Sequence, residues 1–443
     1  MPRFPLNTPL GEQAQSILKR LKESGFEAYL VGGCVRDFFL GITPKDYDIA
    51  TSAHPDQVEA LFSHTVPVGA EFGVQLVVEH GNAFQVATFR TEGGYQDGRH
   101  PTHVVFASAK EDARRRDFTM NALYYDPTTD TLLDFFGGEA DITRKNIQTI
   151  GDPTDRFCED YLRLLRAVRF STQLSFTIAA ETFSAIAPLA SKITRISSER
   201  IRDELSRILV SQNPERGITL LDESTLLQHI LPEVITLKGV EQPMQYHPEG
   251  DVFVHTMLLM KGLSHPPLAL ALGCLLHDIA KPQTFERAPD RIRFHGHDRL
   301  GAQITETILR RLAYPKELIG LVCRLVADHL KFKDAKNMRG STLKRFVGQD
   351  RFDLHLELHR LDCLASHGDL TAYTFCKSHY EDFQKEKPTL RTLLTGQDLI
   401  RLGYKPGPSY SAMLKRVEDA QLEGRVVTVA DALDLIQRQF PVK

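Results

Sequence analysis

Two aspartates one residue apart follow a glycine pair near the start of the chain. Gly32 and Gly33 end the segment "FEAYLVGG", and Asp46 and Asp48 lie in "KDYDIAT". Because side chains at positions i and i+2 of a strand share a face, the two carboxylates should point the same way. The two negative charges repel each other unless cations lie between them, and proteins usually place two Mg²⁺ ions at such a pair. Glycine lets the backbone approach phosphates, so the combination predicts a phosphate and metal site rather than an exposed turn.

A run of three arginines stands further along, in "EDARRRDFTMNALYYD". Arg114, Arg115 and Arg116 directly precede Asp117. Such a run can be a solvated face, but guanidinium groups bind phosphate oxygens through paired N–H donors. The run belongs to the same predicted domain as the aspartate pair, so we predict that it contacts phosphates there.

A second group of ligand-type side chains occupies apolar helical segments in the second half of the chain. Neutral imidazoles and carboxylates in these contexts suit a divalent metal. A lone histidine on an apolar helix is more often a core residue, but an ordered series of ligand types favours a metal site. The series comprises His255, His277, Asp278, His297, His329 and Asp362.

The order of predicted elements indicates an α+β fold. The pattern predicts a helix over 11–25 that ends at Gly25, a strand into the glycine pair, a helix over 34–41 and a strand over 45–51. From residue 151 onward helical periodicity dominates, broken by polar turns such as "RAPDRIRFHGHD". An α/β head is therefore followed by a long helical region.

Length and composition bound the class of protein. The 443 residues suffice for two to four domains, and the formal net charge of −3 does not by itself indicate a nucleic-acid-binding protein. The six cysteines form no C-x-x-C pair, which argues against a zinc ribbon or a disulfide scaffold. The N-terminus lacks a signal-peptide core, and the longest apolar run is too short to span a bilayer. We therefore expect a cytoplasmic protein without membrane association.

The segment "EDYLRLLR" predicts a helix on which Asp160 and Arg163 share a face. Aspartate accepts hydrogen bonds and arginine donates them, so the pair can imitate the Watson–Crick edge of a nucleobase. Glu159 could hold Arg163 in position. On spacing alone, a surface ion pair worth about 0.3 kcal/mol is the favoured interpretation.

Several motifs resemble the nucleotidyltransferase superfamily, specifically its bacterial class II tRNA nucleotidyltransferase and poly(A) polymerase branch. "YLVGGCVRDFFLG" with "KDYDIAT" resembles the family's first motif, and "RRRDFTMNALYYD" with "DFFGG" its second. "DRFCEDYLRLLRAVRF" resembles its nucleotide-selecting helix, "SSERIRDELSRIL" its neck and "LTGQDLIRLGYKPGPSY" its tail. The resemblance covers essentially the full chain.

The histidine series resembles the HD phosphohydrolase superfamily, whose H…HD…D set binds metal and hydrolyses phosphoesters. His255, His277, Asp278 and Asp362 match the four-ligand order, and His297 and His329 could bind a second divalent ion. The segment could act as a phosphatase or phosphodiesterase, or could simply brace bound tRNA.

Together the resemblances imply four domains. These are a nucleotidyltransferase head over 1–150, a nucleotide-selecting neck over 151–235, an HD-like helical body over 236–375 and a helical, tRNA-binding tail over 376–443.

The resemblance also implies roles for individual residues. Asp46 and Asp48 would hold the catalytic Mg²⁺ ions. The triphosphate would lie at Gly32, Gly33 and Arg36. Nucleotide or primer phosphates would be contacted by Arg114 and Arg115. The sugar or its surroundings would be contacted by Asp117 and Asn121. Selection of CTP and ATP is implied for Glu159, Asp160 and Arg163, with Arg166 and Arg169 extending the basic face. Relatives often carry Glu or Asp where this chain has Gln85, so the third carboxylate ligand stays open.

The implied function is template-independent transfer of CMP and AMP from CTP and ATP to the 3′ end of tRNA. Alternatives are a poly(A) polymerase, an HD phosphohydrolase with a decayed transferase head, and an RNA-binding regulator. Gly69, Glu71 and Gly73 are closer to the tRNA enzyme pattern than to that of poly(A) polymerases, and "TEGGYQDGRHPTHVVF" favours a protein able to add the terminal A. Addition of CCA or of A alone stays open, as does the oligomeric state.

Overall fold

The computed structural model describes residues 6–68, 73–93, 103–386 and 392–441. The chain forms two compact units, Met1–Ile235 with Ser264–Pro266, and Thr236–Leu263 with Pro267–Lys443. We call them the N-terminal unit and the C-terminal unit. Within the described ranges, every helix is too short or too polar to cross a membrane.

Strands are concentrated in the first 150 residues. They are β1 Ala28–Val31, β2 Asp48–Thr51, β3 Thr65–Pro67, β4 Val74–Glu79, β5 Asn82–Thr88, β6 Arg90–Gly93, β7 His103–Phe106, β8 Leu123–Asp126, β9 Thr131–Asp134, β10 Asn146–Ile147, β11 Thr177–Ile178, β12 Phe285–Arg287 and β13 Ile292–Phe294.

Helices make up most of the rest. In the N-terminal unit they are α1 Pro9–Glu23, α2 Gly33–Phe39, α3 Pro55–Leu61, α4 Ala109–Arg114, α5 Gly138–Thr143, α6 Pro153–Glu159, α7 Leu162–Leu174, α8 Ala180–Ser184, α9 Ser198–Leu209, α10 Pro214–Glu223, α11 Leu227–Ile230 and α12 Pro232–Ile235. In the C-terminal unit they are α13 Val252–Lys261, α14 Leu268–Leu276, α15 His297–Arg311, α16 Lys316–Asp328, α17 Gly340–Val347, α18 Phe352–Ala365, α19 Thr371–Glu386, α20 Gly396–Arg401, α21 Ser409–Leu422 and α22 Val429–Gln439.

A seven-stranded sheet in the order β3-β4-β5-β2-β1-β8-β9 forms the centre of the head. β1 and β2 are antiparallel, and Val31 is the register partner of Asp48. Because Gly32 follows Val31 directly, this register brings the glycine turn beside the first residue of β2. The sheet therefore connects the two motifs that are fifteen residues apart in the chain.

Two local predictions are wrong in detail. The strand β2 begins at Asp48, so Asp46 precedes it, and Tyr47 is buried between the two aspartates. The segment "EDYLRLLR" is not one helix, because α6 ends at Glu159 and α7 begins at Leu162. At the break Asp160 has φ −146° and ψ 105°, and its carboxylate accepts the Leu162 N–H at 3.0 Å. An aspartate that bonds the backbone two residues ahead competes with helix continuation.

The fold class predicted from the sequence, a mixed α+β head followed by helices, is confirmed. The described C-terminal unit also contains a two-stranded hairpin, β12 and β13, in the segment read as a polar turn. The four-domain division stays a prediction, and its boundary at residue 375 falls inside α19. Residues between Leu394 and Ile436 form an apolar core of their own.

Candidate functional site

A cavity of about 670 Å³ in the N-terminal unit gathers most of the residues predicted for phosphate, metal and base contacts. Eight arginines and five aspartates line it, so the excess of positive charge suits a polyphosphate. The charged lining residues are Arg36, Arg115, Arg116, Arg163, Arg166, Arg169, Arg200, Arg207, Asp37, Asp46, Asp48, Asp117 and Asp160.

The glycine turn and the aspartate pair form one wall of this cavity. Gly32 has φ +74°, and a Cβ atom built there would lie 3.2 Å from Arg116 Nη1 and 3.9 Å from Asp48 Oδ2. The positive φ favours glycine here, and a side chain would in addition press against the Arg116 guanidinium. Burial, reinforced by the neighbouring Asp46 carboxylate, raises the pKa of Asp48 to about 6. The pair is therefore an acceptor set that gains from a cation.

A hydrogen-bonded chain connects the second motif to the rest of the cavity. Asp117 accepts from Arg166 Nε at 2.7 Å and from Asn121 Nδ2 at 3.0 Å, and Asn121 Oδ1 accepts from Arg36 Nη1 at 2.8 Å. Burial opposes the charge on Asp117, but the Arg166 and Asn121 contacts outweigh it and hold the pKa of this carboxyl well below its usual range. The chain fixes two arginine side chains at the cavity surface.

We predict that Asp117→Asn lowers the free energy of unfolding by about 3 kcal/mol at pH 7, because it leaves Arg166 without its buried counterion. Since the folded-state pKa is below the unfolded value of about 4, the contribution is complete above that pH and is lost as the pH falls below it. Urea denaturation of wild type and variant at pH 7 measures the loss of stability, and the same comparison at pH 3 to 4 measures how that loss depends on pH. A difference between wild type and variant that is independent of pH would contradict this account.

The residues predicted to select the base are held on two sides. Arg163 Nη1 donates to Glu159 Oε2 at 2.5 Å, so the predicted contact between these two side chains exists, and Arg163 Nη2 donates to the Arg115 carbonyl at 2.9 Å. Asp160 Oδ2 accepts from Arg200 Nη2 at 2.8 Å. Asp160 and Arg163 therefore line the same cavity although the helix is interrupted between them.

Two predicted site residues, Arg114 and Glu159, lie outside the cavity lining, as does Gln85, the position where the third ligand stayed open. Arg114 ends α4 and is exposed, whereas Arg116, one of the three arginines in the predicted run, takes the position beside Gly32. Glu159 acts on the site only through Arg163. Gln85 is exposed and precedes Val86, the register partner of Ile49. The structure thus supplies no third acidic ligand at Gln85.

Sequence reasoning missed the cavity residues that come from α9. Arg200 and Arg207 lie in the segment "SSERIRDELSRIL", which was read as neck without a role for individual side chains. Their spacing of seven puts both on one helix face, and that was the available signal. Of the loop features, Gly69 and Glu71 and most of "TEGGYQDGRHPTHVVF" lie outside the described residues.

A second cluster, in the C-terminal unit, gathers the predicted histidines around Asp278. The distances from its carboxylate oxygens to Nε2 are 3.1 Å for His277, 3.4 Å for His297 and 3.9 Å for His329. His255 Nε2 lies 4.0 Å from Asp278 and 3.1 Å from Asp362. The six predicted ligands come from five helices or helix ends, and the structure brings all of them together.

Three imidazoles in the cluster are oriented through their other ring nitrogen. Nδ1 of His277, His297 and His329 lies 2.6 to 2.9 Å from the carbonyl oxygen three residues earlier. A carbonyl only accepts, so Nδ1 carries the proton and Nε2 presents a lone pair toward Asp278. Burial also lowers the pKa of His329 to about 3, which keeps it neutral. These are the features that a metal-binding imidazole needs.

Two further residues complete this cluster and were not predicted. Glu249 Oε1 lies 2.7 Å from His255 Nδ1, and Lys281 Nζ lies 2.7 Å from Asp278. Burial disfavours a charged His255, but Asp362 and Glu249 outweigh burial and raise its pKa to about 9. The cluster opens into a cavity of about 760 Å³ lined by Asp278, Lys281, His297, His329 and Asp362, among others. The described residues of the C-terminal unit therefore include groups that could hold a metal ion.

Three models of known protein families match successive parts of this chain. Residues 28–148 match the poly A polymerase head domain, and residues 175–237 match the probable RNA- and SrmB-binding site of polymerase A. Residues 251–436 match the HD domain.

The CCA-adding enzyme of Levilactobacillus brevis is 44% identical over 219 residues, which are 49% of this chain and 55% of that protein. The CCA-adding enzyme of Anoxybacillus flavithermus is 45% identical over 227 residues, 51% of this chain and 57% of the relative. The chain spans about half the length of the curated relatives it matches.

The solved structure of the Bacillus stearothermophilus CCA-adding enzyme in complex with CTP has a TM-score of 0.73 and 28% identity, covering 97% of this chain and 98% of that one. The Thermotoga maritima CCA-adding enzyme complexed with tRNA has a TM-score of 0.60 at 19% identity, covering 97% and 96%, and shows the fold alone. Residues 28–148 therefore match the head domain of poly A polymerases, residues 251–436 match an HD domain, and about half of the chain is similar to CCA-adding enzymes.

Proposed function

We propose that the protein is a template-independent nucleotidyltransferase that adds CMP and AMP from CTP and ATP to the 3′ end of tRNA. The observation that carries this proposal is the cavity of the N-terminal unit, where Asp46 and Asp48 face a glycine turn and a lining rich in arginine. The relatives named CCA-adding enzymes and the CTP complex at 28% identity support it.

Asp46 and Asp48 are the residues that would hold divalent cations, and oxygen-only donors of this kind suit Mg²⁺. Their mutual repulsion and the raised pKa of Asp48 fit such an occupant. Cations bound there would activate the attacking 3′ hydroxyl and stabilise the leaving pyrophosphate oxygen. Gly32 and Arg116 lie on the same wall, where the triphosphate would lie.

The choice of base follows from what Asp160 and Arg163 offer. Cytosine and adenine each present an amino donor on the edge where uracil and guanine present a carbonyl acceptor. A carboxylate acceptor and a guanidinium donor therefore complement CTP and ATP and leave the other two bases mismatched. Glu159, at 2.5 Å from Arg163, keeps the guanidinium in place without a nucleic-acid template.

Incubation of the full chain with tRNA lacking CCA, and with tRNA ending in CC, tests this function with each nucleotide separately. We expect CMP incorporation from CTP alone on the first substrate and a single AMP on the second. Incorporation of AMP only into tRNA that ends in CC would show that the protein adds the terminal A alone. Long A tails from ATP alone would instead support a poly(A) polymerase, and the absence of nucleotide consumption would support an RNA-binding regulator.

A second candidate function is metal-dependent phosphoester hydrolysis in the C-terminal unit. The specific observation in its favour is that Asp278 and its histidines open into a cavity of about 760 Å³, so bound metal would be reachable by a substrate. His255, His277, Asp278 and Asp362 would hold one divalent ion, and His297 and His329 could contribute to a second. Such ions would polarise the phosphoryl group and supply hydroxide.

The expected cytoplasmic location stays a prediction.

We predict that a variant with Asp46→Ala and Asp48→Ala still binds Mn²⁺ in calorimetry, through the C-terminal cluster. Adding Asp278→Ala should weaken that binding by at least about a hundredfold, since this carboxylate contacts three imidazoles. In the otherwise wild-type chain, Asp278→Ala should also remove hydrolysis of p-nitrophenyl phosphate. Asp353→Ala, an exposed carboxylate on the same helix as Asp362, is the matched control. Unchanged Mn²⁺ binding in the triple variant would contradict the assignment of this site.

A further inference from the structure

Glu249 lies in the loop that precedes α13, and the loop holds it in a fixed position. Asp251, two residues later, caps α13 by accepting a backbone N–H of its first turn at 2.9 Å. The loop folds back on itself, because the Gln242 N–H donates to the Gly250 carbonyl at 3.0 Å. The Glu249 side chain is only 5% exposed. The loop therefore places a buried carboxylate close to the start of the helix that carries His255.

One oxygen of this carboxylate lies between two imidazoles. Glu249 Oε1 is 2.7 Å from Nδ1 of His255 and 2.9 Å from Nδ1 of His247. Two acceptors at these distances would repel each other, so both Nδ1 atoms carry a proton. Nε2 of His255 is then the nitrogen left to face Asp278 and Asp362, at 4.0 and 3.1 Å. Glu249 therefore fixes the ring orientation in which Nε2 is the atom available to a metal ion.

His255 differs in this respect from three other predicted imidazole ligands. Nδ1 of His277, His297 and His329 faces a neutral backbone carbonyl oxygen, whereas Nδ1 of His255 faces a charged carboxylate. An anionic acceptor attracts the Nδ1 proton more strongly than a carbonyl does, and this makes Nε2 a better donor to a metal ion. The strength of His255 as a ligand therefore depends on Glu249.

A second connection runs from Glu249 to the metal ligands through two buried side chains. Gln242 Nε2 lies 3.5 Å from Glu249 Oε1, and Gln242 Oε1 accepts from Lys281 Nζ at 2.5 Å. Lys281 in turn lies 2.7 Å from Asp278. The other oxygen, Glu249 Oε2, is buried without a hydrogen-bond partner among the described residues. An unpaired buried oxygen costs stability, and such a cost is expected of residues that serve a functional site.

We propose that Glu249 is a positioning residue for the metal site of the C-terminal unit. It acts through His255, whose ring it holds with Nε2 toward Asp278 and Asp362. The proposal rests on the second candidate function, because it concerns the metal that this site would bind. Without Glu249 the imidazole is free to rotate and to carry its proton on Nε2, and the affinity for divalent metal falls.

The test measures Mn²⁺ binding by calorimetry in the full chain carrying Asp46→Ala and Asp48→Ala, so that binding reports on the C-terminal cluster. Adding Glu249→Ala should weaken Mn²⁺ binding by about tenfold to a hundredfold, the usual effect of removing the partner of a metal-binding imidazole. Glu249→Gln, whose amide oxygen can still accept from the Nδ1–H group, should restore part of the affinity. Glu241→Ala is the matched control, because Glu241 is an exposed carboxylate of the same loop that pairs with Arg287.

A double-mutant cycle separates positioning from a general structural effect. If Glu249 acts through His255, Glu249→Ala should change the Mn²⁺ affinity little in a His255→Ala background. Thermal unfolding of each variant identifies loss of folding, and Glu249→Gln then replaces Glu249→Ala in the cycle. A folded Glu249→Ala chain with unchanged Mn²⁺ affinity, or fully additive effects in the cycle, would overturn the proposal and leave the metal site standing. Absence of Mn²⁺ binding before Glu249 is changed would instead overturn the metal site and the second candidate function with it.

Discussion

Replacing Asp48 by alanine should abolish nucleotide incorporation, with a loss of at least about a thousandfold in kcat. The carboxylate is one of two acceptors that would hold the catalytic cations, and metal stabilisation of the reacting oxygens contributes several kcal/mol to such reactions. Asp46→Ala should have an effect of the same size. Single-turnover incorporation of labelled CMP and AMP measures both.

The folded state should tolerate these changes, because they relieve repulsion between two carboxylates. Circular dichroism and thermal unfolding therefore provide the internal control. Glu59→Ala, which removes an exposed carboxylate from α3, should retain full activity. Persistent incorporation by Asp48→Ala would contradict the assignment of this cavity as the transferase site.

Replacing Asp160 or Arg163 should alter the choice of nucleotide rather than the capacity for transfer. Asp160→Asn substitutes an amide, which donates as well as accepts hydrogen bonds. The amide can therefore bond the carbonyl oxygen of uracil or guanine, which the carboxylate cannot do. We expect the CTP to UTP ratio of kcat/KM to fall by about a hundredfold or more, as a polar site loses its matched partner. Arg163→Met should lower the ratio by a similar factor.

Parallel incorporation assays with the four nucleotides separately provide the measurement. Asp155→Asn is the control, because Asp155 is exposed on α6, five residues before Asp160. A uniform decrease for all four nucleotides would indicate that the pair supports catalysis or folding and does not select the base.

The chemistry of both sites could be read from residue types at short spacing. Gly32, Gly33, Asp46 and Asp48 belong to one strand, helix and strand unit, β1-α2-β2, in which the pairing of two consecutive strands brings the glycine turn beside Asp48. The order of histidines and aspartates from His255 to Asp362 was likewise sufficient to indicate a metal-binding cluster. In each case the side-chain chemistry is a property of the residues themselves.

The tertiary structure decided which of these residues meet and which partners they have. The predicted helix through Asp160 is interrupted, since the side chain bonds the backbone N–H of Leu162 in place of helix continuation. Among the three arginines of the run, Arg116 takes the place beside Gly32, whereas Arg114 is exposed. Spacing alone could not distinguish them, because α4 ends within the run and the helical period stops there.

Contacts between residues far apart in the chain could not be predicted from any local sequence pattern. Arg200 meets Asp160 across 40 residues, and His255 meets Asp362 across 107. Such contacts depend on how helices pack, and packing is decided by the apolar faces of many residues together. The sequence by itself therefore determined which acceptors, donors and ligand-type side chains this protein possesses. Only the folded chain decided that α9 supplies the arginine, Arg200, that pairs with Asp160.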